Sequence, residues 1–173
     1  MKSFFKLLLL SLFAGLFVVA FSDDDDYDTG TEPTDTEFVA TDNDFADYDS
    51  WTELATNTGV DPALGGFAHG DAMSTRVIWA NEENISMENG EWPIGTILAK
   101  KMTNTETGDL MGVMAMAKRG ADFNPDHNGW EWFKLNEDGT IIERAADMNE
   151  NGCNGFHWWG ASGNDYSFTL MNN

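Results

Sequence analysis

An α+β fold, an antiparallel β-sheet with a few helices packed against it, is what the patterning of this 173-residue chain predicts. Three observations carry that reading. Five short segments, "STRVIWA", "GTILAKKM", "DLMGVMAMAK", "GWEWFKL" and "TIIER", are apolar or alternating, and Gly, Asn, Asp or Pro bounds them. The run "NEDGT" between the fourth and fifth has hairpin-turn composition, as expected for antiparallel neighbours. In "DFADYDSWTELAT", Phe45, Tyr48, Trp51 and Leu54 recur every three residues, which predicts one side of a short helix. A second helix is expected over "NEENISMEN", between the first two strands, and sheet and helices together make one layered domain over residues 45–173.

The residues ahead of that domain read differently. Lys2 and Lys6 precede the apolar run "LLLLSLFAGLFVVAF", and Ala20 and Ser22 stand three and one before Asp23. That order of charge, apolar core and small residues predicts a signal peptide over residues 1–22, with an uncleaved anchor as the alternative. Residues 23–50 then hold twelve Asp or Glu and no Lys or Arg. Self-repulsion with little apolar surface to bury predicts a disordered acidic leader over residues 23–44. The expected product is periplasmic or secreted, with no stable membrane contact. A formal charge of −21 repels nucleic acid and anionic lipid, so neither is an expected partner.

Several patterns point to no chemistry. "DFNPDHNG" places oxygen-bearing residues alternately, like a calcium loop. His127 stands where that loop needs glycine, and Phe133 where it needs glutamate, so a plain turn is expected. "NIS" at 84–86 is a glycosylation sequon only in a host that performs that modification. Met111, Met114 and Met116 read as strand core, and His69, His127 and His157 lack zinc-site spacing.

One stretch does carry chemistry. "GCNGFHWWG" holds the only cysteine, Cys153, with His157 four residues later. Covalent haem attachment uses C-x-x-C-H, and here Phe156 stands in the second cysteine's place. A lone cysteine forms no intrachain disulfide, so a cofactor bond, an intermolecular bridge or a simple buried thiol are its options. Cys153 and His157, one helical turn apart, face the same ligand if the segment is helical. Trp158 and Trp159 flank a ring or belong to the core, and the core is expected.

Six pieces in order, from Tyr48 and Trp51 through "TRVIW", "GEWPIGTILAKK", "GVMAMAKRGADF" and "NGWEWF" to the cysteine–histidine motif and "DYSFTL", resemble the cytochrome P-460 family. That family also includes the β-type cytochromes c-prime. The resemblance implies a c-type haem with His157 as axial iron ligand, and Cys153 as a single thioether anchor. It also implies that Lys100 matches the lysine joined to the porphyrin edge in P-460 proper, and that the chain forms a homodimer.

Three functions follow as expectations. The first is an exported haem protein that binds a small molecule such as nitric oxide. The second is a haem-dependent oxidoreductase acting on hydroxylamine, which would hand electrons to a redox partner protein. It also requires a proton acceptor, and no Asp or Glu is singled out by spacing. The third is a cofactor-free binding or structural module of the same fold.

Overall fold

Among the described residues, six strands follow one another across one sheet in the order of the chain, and every neighbouring pair is antiparallel. In this computed structural model they are β1 (Thr52–Thr58), β2 (Ser74–Ala80), β3 (Ile97–Asn104), β4 (Leu110–Lys118), β5 (Trp130–Leu135) and β6 (Ile141–Ala145). Among the described residues one α-helix, α1 (Gly152–Ala161), comes after them. The structure describes residues 37–60, 73–83, 85–120, 122–148 and 152–169, all within the compact unit Pro33–Asn173. The signal-peptide expectation falls on residues outside those described.

Alternation along the strands sorts side chains between two cores. Ile97 and Ala99 of β3, Val113, Ala115 and Ala117 of β4, and Phe133 and Leu135 of β5 share one face. The segment bearing Ala40, Phe45 and Tyr48 covers it, with Phe45 and Phe133 rings 4.8 Å apart. Leu98, Met116, Trp130 and Trp132 lie on the opposite face, under Cys153 and Tyr166.

All five expected strands are present, and a sixth, β1, was not expected. Its sequence "TELATNT" is polar, as suits an edge strand, and its threonines favour extended backbone. The predicted helix around Phe45–Leu54 is replaced by two 3-10 turns, Asp42–Phe45 and Tyr48–Ser50. Asp47 between them is left-handed at φ 56°, which interrupts any continuous helix. Trp51 therefore packs on the first face, and Leu54 on the second.

The described residues of "NEENISMEN" do not form the expected helix either: Asn89 and Gly90 take φ 54° and 87°, and Glu88 and Glu91 exchange backbone hydrogen bonds across them. An Asn-Gly pair forms this tight reversal readily, and it overrides the helix-forming glutamates. "DFNPDHNG" is a turn around Pro125–His127. Of the three methionines assigned to the core, Met116 is buried and Met114 half-buried, whereas Met111 is 44% exposed near the start of β4.

Of the leader expected over residues 23–44, residues 23–36 lie outside those described, and the described end from Glu37 is tied to the sheet by buried charge. Glu131, 2% exposed, accepts from Arg144 at 2.8 and 2.7 Å and from Arg119 at 3.3 Å. Arg119 also pairs with Glu37 at 2.6 Å, while Arg144 donates to the Ala40 carbonyl at 2.8 Å.

The β5–β6 reversal supplies a stability test. Gly139 sits at φ 87°, where an added Cβ would strike the Phe45 carbonyl oxygen. Gly139→Ala is expected to cost about 2–4 kcal/mol, from backbone strain and overpacking together. A denaturant midpoint equal to that of the unsubstituted protein would refute this.

Candidate functional site

The site is built where α1 lies against the second face of the sheet. The Cys153 backbone N–H donates to the Met148 carbonyl at 3.2 Å, and the Asn154 N–H to Asp147 Oδ1 at 3.0 Å. The Asn154 side chain then seats the helix: its Oδ1 accepts from Trp132 Nε1 at 2.6 Å and from Asn124 Nδ2 at 3.3 Å. With α1 placed this way, the four-residue spacing of Cys153 and His157 turns both toward the sheet.

A pocket of about 340 Å³ lies between them and β2–β5, within the size range of small-molecule sites. Cys153, Phe156 and His157 line it from α1, Ile78, Leu98, Lys100, Met114, Met116 and Trp132 from the strands, and Ser167, Phe168 and Thr169 from the C-terminal segment. The three residues singled out from sequence, Cys153, His157 and Lys100, thus meet at one cavity. Strand alternation decides which lysine arrives: Lys100 shares the Leu98 face, whereas Lys101 turns away and pairs with Glu137 at 2.8 Å.

His157 is held by its surroundings. The rings of Trp132 and Phe168 lie 4.4 and 4.9 Å from its centroid. Its Nδ1 is 2.6 Å from the Tyr166 carbonyl oxygen, an acceptor only, so the proton resides on Nδ1. Nε2 keeps its lone pair, and no described residue hydrogen-bonds to it. Burial, and next the Lys100 cation, push the imidazole down from its ordinary value to about 3, against the opposing Tyr166 hydrogen bond. The ring is therefore neutral near pH 7, as a metal ligand must be.

This shift has a measurable consequence for the cofactor-free protein. Between pH 6.5 and about 3 the unfolded chain takes up a proton on His157 that the native state refuses. The associated stability is complete above pH 6.5 and is lost as pH falls, with a slope of at most about 1.4 kcal/mol per pH unit. Denaturation midpoints across that range should fall less steeply in His157→Gln; parallel curves would contradict the assignment.

The tryptophans following the motif depart from expectation. Trp158 and Trp159 are 57% and 67% exposed instead of belonging to the core. With His157 turned to the sheet, the next two residues of the helix rotate to its outer side. The aromatics on the imidazole are Trp132 and Phe168, from distant segments. Their strand and tail positions were visible in sequence, their convergence on His157 was not. The Tyr166 carbonyl had no signature at all, since every residue carries one.

The donor set suits a haem: a neutral imidazole with one nitrogen anchored and the other available, a thiol on the same helix side, and apolar walls of Leu98, Met116, Trp132 and Phe168. Phe156 lines the pocket as well. No match was found among curated proteins. The model of one family, described as Cytochrome P460, matches residues 45–169, from the covered first face of the sheet to the edge of the pocket, and the chain belongs to that family.

Proposed function

We propose that this is an exported haem-binding protein that binds, or exchanges electrons with, small nitrogen species such as nitric oxide or hydroxylamine. Family membership implies the haem, and the observation that supports its placement is the neutral, Nδ1-anchored His157 sharing a pocket with Cys153. When bound, the haem supplies an iron that coordinates a small ligand and exchanges electrons. His157 Nε2 would hold that iron. Cys153 would tether the haem through a thioether, its S–H adding across a vinyl group with sulfur on one carbon and hydrogen on the other, so that no oxidant would be needed. Phe156 has no group to bond with the ring, which would leave one tether. Trp132 and Phe168 keep the imidazole oriented and dry.

Ligand binding is favoured over hydroxylamine oxidation. Oxidation releases protons, and among the described residues lining the pocket none is Asp or Glu. Export rests on the N-terminal pattern of Lys2, Lys6 and the apolar run, and homodimerisation on the family resemblance.

The test is the visible spectrum of protein made in a host with haem-maturation machinery, followed by haem staining after denaturing electrophoresis. Coloured protein that retains the stain is expected, with Cys153→Ala losing the stain while remaining coloured. Retention in that variant would identify Lys100 as the covalent link instead. Folded but colourless protein from several such hosts would favour the cofactor-free module, the reading that Phe156 supports.

A further inference from the structure

The imidazole depends on a backbone carbonyl, and that carbonyl belongs to an uncommon turn. Asp165 and Tyr166 are consecutive left-handed residues, at φ 46° and 64°, and neither is glycine. Such backbone persists only where its surroundings impose it.

The surroundings converge on Asp165. Its side chain is wholly shielded, and Oδ2 accepts from Lys118 Nζ at 2.7 Å and from the Trp92 backbone N–H at 2.8 Å. Oδ1 accepts from Asn128 Nδ2 at 2.9 Å and Trp130 Nε1 at 3.2 Å, and the same indole donates to the Asp165 carbonyl at 2.9 Å. These donors come from β4, from β5, and from the segments leading into β3 and β5. The Tyr166 hydroxyl fastens the other side of the turn, donating to the Asp126 carbonyl at 3.0 Å.

We infer that Asp165 is a positioning residue for His157: its four donors lock the left-handed turn, the turn aims the Tyr166 carbonyl at Nδ1, and Nε2 is thereby the nitrogen left for a ligand. The inference rests on the proposed haem reading for its purpose, though its geometry stands without the haem. A hydrogen-bonded partner on the far nitrogen of a ligating histidine fixes the tautomer and makes the ring a stronger donor. Here the fixing element is a carboxylate one residue away from that partner, reached through the backbone.

The test replaces the ion pair as a unit, Asp165→Asn with Lys118→Met, which leaves no unmatched buried charge; asparagine tolerates the left-handed backbone. Nitrogen NMR of the His157 ring in the cofactor-free protein near pH 7 is the first readout. The unsubstituted protein should show one Nδ1–H tautomer, and the double variant a mixture of both. The second readout is the reduction potential of the haem-loaded protein, which should rise as the ring becomes a weaker donor. A folded double variant with unchanged ring signals and potential overturns the inference, as does an Nε2–H tautomer in the unsubstituted protein. Should the double variant fail to fold, Asn128→Gly removes one donor while keeping the positive φ. A smaller change in the same direction then supports the inference, and no change overturns it. A tautomer shift in protein that takes up no haem would sustain the positioning role and reject the haem reading.

Discussion

Replacing His157 with glycine is expected, on the proposed reading, to lower haem retention by more than about 100-fold in protein that also carries Cys153→Ala. The expectation follows from its neutral ring, with Nδ1 committed to the Tyr166 carbonyl. Among the described residues lining the pocket, the other nitrogen-bearing side chains are Lys100 and Trp132, and an indole N–H offers no lone pair for a metal. With Cys153 intact, the variant should stay coloured but show an altered spectrum, and added imidazole should enter the space vacated and restore it. A Lys101→Ala control should leave the spectrum unchanged, because Lys101 turns away from the pocket and pairs with Glu137. An unaltered spectrum in the His157 variant would place the ligand elsewhere and remove the basis of the proposed function.

Lys118→Ala is expected to destabilise the fold by about 3–5 kcal/mol, the cost of leaving one half of a buried ion pair. Lys118 and Asp165 are 5% and 0% exposed, and the ammonium also lies 5.2 Å from the centroid of the Trp130 ring. Lys101→Ala provides the comparison. Its partner Glu137 is 61% exposed, so losing that pair should cost under about 1 kcal/mol. Denaturant unfolding of the two variants side by side checks the contrast. Equal losses would mean that the neutral donors alone satisfy Asp165.

How far the fold was legible depends on how local its signals were. β2 through β6 could be read because each alternates or runs apolar between turn residues. β1 escaped because an edge strand with a polar sequence lacks a buried pattern. The spacing of Phe45, Tyr48 and Trp51 was real, yet a period of three also fits two short 3-10 turns, and only the left-handed Asp47 separates those cases. Trp158 and Trp159 were misplaced because their apolar character says nothing about which side of α1 meets the sheet.

The amino-acid order alone determined the four-residue spacing of Cys153 and His157, the phenylalanine at position 156 between them, and the α+β class, since each follows from spacing within short local segments. It also determined the family, whose matched pieces keep their order from residue 45 to 169. The tertiary structure decided that Lys100 and not Lys101 reaches the cavity, that Trp132 and Phe168 enclose the imidazole, and that Tyr166 takes its Nδ1 proton. Those outcomes depend on contacts between strands, a helix and a tail brought together only by folding. Periodicity chooses the face on which a side chain emerges, and packing chooses what that face meets.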